Sequence, residues 1–181
     1  LYAANIPSED VEEGEITYRI KATDFGGNEA VSEDFTITVN PAPTVGYSQD
    51  FETSIDGWAT YGDNNVWEWG VPTSGPGSAY SGEKVVATTL NGQYVNNSYS
   101  ILESPPIAIP VDGNAYLQFK HWYNIENNWD FGDVWISADG GATWDNAATY
   151  TNVSNGWVDA QFDLSGYAGN TIIVSFDLDT D

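Results

Sequence analysis

The sequence has no cysteine, no methionine, one histidine and only four basic residues, and each shortage closes off a class of function. Without cysteine there is no disulfide, no thiolate metal ligand and no thiol nucleophile. Four Lys and Arg against 27 Asp and Glu leave a net charge of −23 over 181 residues. Such a surface repels phosphate backbones and anionic lipid, which excludes a nucleic-acid reader and a membrane-surface binder. No run approaches the roughly 18 consecutive apolar residues of a spanning helix. Catalytic parts are scarce too. His121 is the only histidine, and a Gly-x-Ser-x-Gly elbow, a His-Glu-x-x-His zinc helix and a Gly-Lys-Ser/Thr phosphate loop are all missing. This stretch is therefore expected to be no enzyme. It opens on Leu1-Tyr2-Ala3 with no signal-type segment, as a mature or excised piece of a longer protein would.

What is plentiful is aromatic surface, with eight Trp and eleven Tyr. Burying it offsets the entropy of the chain, so the composition predicts a folded protein despite the charge. Tryptophan is unevenly spread, running from Trp58 to Trp157 with none earlier. The shift predicts two domains, 1–43 and 44–181, joined at Asn40-Pro41-Ala42-Pro43-Thr44, where two prolines stiffen the chain.

Period-two alternation dominates both parts. Ile16, Tyr18, Ile20 and Ala22 form one apolar row, and Phe35, Ile37 and Val39 another. Asp24-Phe25-Gly26-Gly27-Asn28 between them supplies hairpin residues. After the seam, Leu117, Phe119, His121 and Tyr123 alternate, then Val158, Ala160, Phe162 and Leu164, then Ile172, Val174, Phe176 and Leu178. No long segment keeps a 3.6-residue period. Short strands separated by Gly, Asn, Asp and Pro predict an all-β antiparallel sandwich or jelly roll.

Ser137-Ala138-Asp139-Gly140-Gly141-Ala142-Thr143-Trp144 matches the Asp-box consensus Ser-x-Asp-x-Gly-x-Thr-Trp, read as a hairpin whose Asp139 folds back onto turn amides. Sialidases repeat this box, but their chemistry needs an arginine cluster and Arg19 is alone. His121 is expected to be a packed strand residue. The abundant carboxylates, amides and carbonyls suit a hard cation, calcium first. Asp50-Phe51-Glu52 would set two carboxylates on one strand face, and the loop ending in Asp130 offers further oxygens. Trp67, Trp69, Trp122, Trp129 and Tyr123 are read as core packing first and as a sugar-stacking platform second.

From Asp50 to Asp181 the chain resembles the MAM-like jelly-roll modules of bacterial secreted proteases of the bacillopeptidase F and immune inhibitor A type. The residues that carry the resemblance are Asp50-Phe51-Glu52 with Gly57-Trp58, Trp67-Glu68-Trp69-Gly70, Ser74 to Gly82, Leu102 to Ile107 and the box at Ser137 to Trp144. The first 43 residues resemble the end of a bacterial immunoglobulin-like domain. The resemblance implies a non-catalytic, extracellular accessory module with structural calcium, whose ligands would be Asp50, Glu52, Ser78 and Asp130. Its partners would be the parent catalytic domain and a protein substrate or cell-surface glycan. The family's closing strand is expected to lie beyond Asp181. A carbohydrate-binding module of a polysaccharide-degrading enzyme and a surface adhesin are the competing readings.

Overall fold

The computed structural model describes residues 14–39 and 46–181. The chain divides into two compact units, Leu1–Thr44 and Val45–Asp181. The proline-bearing seam expected at residues 40–44 lies outside the described residues.

The first unit holds β1 (Gly14–Tyr18), β2 (Lys21–Thr23), β3 (Glu29–Val31) and β4 (Phe35–Val39), with β1 paired to β4 and β2 to β3, all antiparallel. The β2–β3 turn is the expected hairpin. Asp24 accepts hydrogen bonds from the backbone N–H and side-chain amide of Asn28, both at 2.9 Å, and Gly27 takes φ +83°. The single strand expected through residues 16–22 is broken at Arg19–Ile20. There the Ile20 N–H turns to the Ser32 hydroxyl at 2.9 Å, and the Ser32 N–H donates to the Ile20 carbonyl at 2.9 Å. The expected buried face is also missing. Tyr18, Ile20, Phe35 and Ile37 stay 38% to 60% exposed, because no second sheet among the described residues covers the two ribbons. Tyr18 and Phe35 cover each other only in part, stacked at 5.4 Å.

The second unit contains β5 (Ala59–Asp63), β6 (Glu68–Gly70), β7 (Val85–Ala87), β8 (Ser98–Glu103), β9 (Ile107–Ala108), β10 (Tyr116–His121), β11 (Asn124–Ile125), β12 (Phe131–Ser137), β13 (Asp145–Tyr150), β14 (Asn152–Val153), β15 (Val158–Asp163) and β16 (Thr171–Thr180). The main sheet runs β13-β12-β16-β8-β5, with β9 also on β16. Pairs β10–β15, β11–β14 and β6–β7 make up the remaining sheet structure, and every pairing is antiparallel.

The predicted apolar rows form the core. On β16, Ile172 and Val174 are 1% exposed and Leu178 is 4% exposed, while β12 adds Val134 and Ile136 on the same face. Leu117 and Phe119 of β10 pack against them, with the Phe119 ring edge-on to Phe176 at 5.0 Å. The core thins towards Ser98 and Ser100, which are buried, hydrogen-bonded to each other at 2.7 Å and capped by the loop at Asn64 and Val66.

This architecture generates a graded prediction. Ile172→Ala should lower unfolding free energy by about 2–5 kcal/mol through lost burial and a residual cavity, whereas Val111→Ala, 76% exposed, should stay within about 0.5 kcal/mol. Urea titration followed by tryptophan fluorescence measures both, and equal effects would refute the assigned core.

Candidate functional site

Asp50 and Glu52 do not share a strand face. Residues 51–53 form a bend, Phe51 lies at φ +61°, and the Asp50 carboxylate accepts the Glu52 N–H at 3.0 Å, a local turn that strand geometry forbids. What this bend does is aim Glu52 at a second loop. Its carboxylate accepts the Glu83 N–H at 3.0 and 3.1 Å and the Lys84 N–H at 3.0 Å. A Cβ on Gly82, itself at φ +64°, would lie 2.3 Å from Glu52 Oε1, so only glycine lets the backbone wrap the carboxylate this closely. Lys84 Nζ donates to the Glu52 carbonyl at 2.8 Å and lies 4.5 Å from the Trp69 ring centre, while the Trp69 indole N–H donates to the Phe51 carbonyl at 2.6 Å.

Asp130 belongs to a different place. It is 2% exposed and accepts the Tyr94 hydroxyl at 2.6 Å and the Asp181 N–H at 3.0 Å. Burial, then the Asp130 carboxylate, pushes the Tyr94 phenol up to about 12. Ser78 is exposed in a turn-rich segment and makes no side-chain hydrogen bond to the other three candidates. Among the described residues no three Asp, Glu or His side chains are grouped to hold one ion. The donor chemistry at Asp50 and Glu52 is nonetheless oxygen only, with lone pairs left beyond the amides they accept.

His121 sits in an aromatic cluster, its ring 4.5 Å from Tyr150, 5.2 Å from Phe119 and 5.3 Å from Tyr123. Burial lowers its pKa. Three of the tryptophans of the sugar-platform reading have these surroundings. Trp69 is tied to Phe51 and Lys84, Trp122 packs on Gly75, and Trp129 stands 65% exposed in a turn.

An aromatic groove that the sequence reading missed lies on the outer face of the main sheet. It encloses about 260 Å³ and is lined by Tyr61 of β5, Tyr99 of β8, Trp135 of β12, Ser175 and Asp177 of β16, and Trp144. The register explains the gathering. Tyr61 and Asp177 both oppose Ile101, Ser175 opposes Trp135, and Asp177 opposes Asp133, so residues far apart in sequence fall on adjacent strands with side chains on one face. The period-two signal was visible, but the strand order that aligns these rows was not.

The Asp-box supplies one wall. Asp139 accepts the Thr143 hydroxyl at 2.6 Å, the Thr143 N–H at 2.9 Å and the Ser137 hydroxyl at 2.9 Å, and these bonds, the Thr143 hydroxyl foremost, hold its carboxyl at about 2. The Trp144 indole N–H donates to the Gly141 carbonyl at 3.1 Å, which fixes the ring at the groove edge. Opposite, the Tyr99 hydroxyl donates to Asp177 at 2.8 Å and the Ser175 hydroxyl donates to the same carboxylate. Burial, ahead of the nearby Asp133 and Glu103 charges, pushes the Asp177 carboxyl up.

These features define an all-β sandwich module with a carboxylate-organised loop and an open groove on one sheet. Residues 90–181, half of the chain, match the immune inhibitor A-like MAM domain family, and the chain belongs to that family. It is 43% identical over 180 residues to Bacillopeptidase F of Bacillus subtilis (strain 168), covering 99% of this chain and 12% of the relative. It is also 40% identical over 88 residues to the pre-pro-metalloprotease PrtV of Vibrio cholerae serotype O1, covering 43% of this chain and 10% of the relative. The chain thus spans about an eighth or less of the curated relatives it matches. A solved structure of carbohydrate-binding modules from the β-sandwich superfamily shares the fold, with TM-score 0.50 and 16% identity over 93% of this chain and 68% of that one.

The Asp-box carries a pH prediction. A carboxyl held near 2 in the fold, against 3.8 unperturbed, contributes stability that is present above 3.8 and lost as pH falls towards 2. The melting temperature of wild type should exceed that of Asp139→Asn at neutral pH, and the gap should close between those two values. A gap that is constant with pH would show that the hairpin does not depend on the ionised carboxylate.

Proposed function

We infer that this region is a non-catalytic accessory module of a secreted bacterial protease, which positions the catalytic domain or engages protein substrate or the cell surface. The observation that carries the reading is 43% identity along 99% of the chain to a stretch one-eighth the length of Bacillopeptidase F, with a second protease among the relatives. An accessory role also suits the placement of His121, whose ring neighbours are Phe119, Tyr123 and Tyr150 rather than a hydroxyl and a carboxylate. The same kinship supports an extracellular placement. No helix among the described residues is long and apolar enough to cross a membrane.

Calcium is the proposed stabiliser of the second unit, held by Asp50 and Glu52 with loop carbonyls. The support is the hard-oxygen character of these donors and the folding of the 82–84 loop around the Glu52 carboxylate. An ion bound only by the folded state would tie the two loops together where amides now do so.

Two measurements test these statements. Purified chain should leave casein intact, and turnover that is lost in His121→Ala would overturn the non-catalytic reading. EDTA should lower the melting temperature and calcium should restore it better than magnesium, the bound ion stabilising the fold by about 2.7 kcal/mol at a hundredfold excess over Kd. Glu52→Gln should abolish that calcium response. If EDTA-treated and calcium-loaded protein melt together while Glu52→Gln still melts lower, the amides alone hold the loop.

A further inference from the structure

The groove on the outer face of the main sheet is unusual for a surface with this charge. One face of an antiparallel sheet buries the core and the other is normally a mixed polar surface. Here the second face gathers two indoles and two phenols around Ile101, the Ser175 hydroxyl and the Asp177 carboxylate. Both indoles are placed by the sheet and its turns. Trp135 lies in the unbroken β12–β16 ladder opposite Ser175, the β12–β13 bulge leaving its extra residue, Ala147, on the neighbouring strand, and the Asp-box pins Trp144 through its own N–H. Rings held this way present a surface before any ligand arrives, so little ordering entropy is lost on binding.

The polar groups lining the groove beside the indoles are the Asp177 carboxylate and the hydroxyls of Ser175, Tyr61 and Tyr99, with Glu103 and Asp133 next to them on the same strands. Asp177 takes hydrogen bonds from Tyr99 and Ser175, Glu103 from Tyr61, and Asp133 from Thr149 and from Asn146 at 3.3 Å. The Tyr61 phenol is pushed up to about 12 by burial and then by Glu103, so it remains a donor throughout the physiological range. None of the three carboxylates has a cation partner: Lys84 is at Glu52, Lys120 pairs with Asp159, and Arg19 and Lys21 pair with Asp34 and Glu29 in the first unit.

Flat aromatic faces interleaved with hydroxyl-capped carboxylates match a polyol with an apolar ring face. We propose that this groove binds a neutral pyranose chain, with Trp135 and Trp144 as stacking surfaces and Asp177, Tyr99 and Tyr61 as hydrogen-bonding groups. A sugar hydroxyl replaces one neutral donor by another at Asp177, which is 8% exposed. A lysine or arginine of a protein partner would instead have to shed its water against a buried carboxylate that already has two donors. Acidic glycans are repelled by a net charge of −23. The proposal rests on the accessory-module reading, since a binding groove serves a chain that delivers or anchors rather than cleaves. It also moves the sugar platform away from Trp67, Trp69, Trp122 and Trp129 to a different set of rings.

The test is retention of the full 181-residue chain on a panel of insoluble and gel-immobilised polysaccharides, neutral and anionic, with immobilised poly-lysine as a further arm. Neutral β-glucans, galactans, mannans and xylans form the neutral set. Retention on at least one neutral glycan is expected, unaffected by about 0.5 M sodium chloride because it is not an ion-pair interaction. Trp135→Ala and Trp144→Ala should each weaken it about tenfold or more, and Asp177→Asn should weaken it while retaining shape. Trp129→Ala, at an exposed turn outside the groove, should bind as wild type. Because Trp144→Ala could loosen the hairpin, Trp144→Phe and a melting curve for each variant accompany it. The proposal is overturned by retention on no neutral glycan, by retention that survives both Trp→Ala changes in folded protein, or by salt-labile retention on poly-lysine alone. Casein hydrolysis by the same preparation would sink the accessory reading without touching glycan retention, so the two can fail separately.

Discussion

The alternation of side chains along β16 is the constraint on which both the core and the groove depend. Its ten residues run through the middle of the main sheet, paired on one side to β12 and on the other to β8 and β9. Because consecutive side chains leave opposite faces, Ile172, Val174, Phe176 and Leu178 enter the core, and Ser175 and Asp177 are forced outward between them. A one-residue slip would bury Asp177 among valines and expose Val174. The apolar row that stabilises the sandwich therefore also holds the groove's central carboxylate in register with Asp133 and Ile101, and Ser175 in register with Trp135.

Loops in this unit are organised by side chains that satisfy backbone donors. Asp139 and Ser137 do so at the Asp-box, Glu52 at the 82–84 loop, and Asp130 at the chain's last residues, where the Asn97 N–H also donates to the Asp181 carbonyl at 3.1 Å. With no cysteine to staple these segments, acidic side chains do the work by accepting backbone amides and hydroxyls together. Much of the large acidic excess is thereby structural as well as solvating.

The all-β class and the three apolar rows of the second unit were legible because strand period is written directly in consecutive residues. The Asp24 and Asp-box turns were legible because their hydrogen bonds span four residues. The bend at Asp50 to Glu52 was not, since a period-two pair of acids looks the same whether Phe51 is extended or at φ +61°. The groove was hidden for another reason. Tyr61, Tyr99, Trp135 and Asp177 meet only through a strand order, β12-β16-β8-β5, that crosses the sequence, and no local pattern encodes it. The exposed rows of the first unit, Tyr18 with Phe35 among them, have the right period but lack a covering layer among the described residues, which periodicity cannot supply.

The two lysines of the second unit explain why the groove is anionic. Lys84 lies over Trp69 and bonds the Glu52 carbonyl, and Lys120 lies 4.5 Å from the centre of the Tyr80 ring and pairs with Asp159. Both act near the segment from Tyr80 to Lys84, where Tyr80 in turn meets Trp157 edge-on at 6.3 Å. A cation over an aromatic face is worth more when partly desolvated than at an open surface. Placing both lysines there strengthens a loop that has few apolar side chains of its own, and it leaves the outer sheet face with acceptors, hydroxyls and rings. The groove's selectivity follows from that allocation. Without a basic residue it has no counter-charge for a carboxylated or sulfated ligand, and with its carboxylates already hydrogen-bonded it discriminates by ring face and hydroxyl pattern.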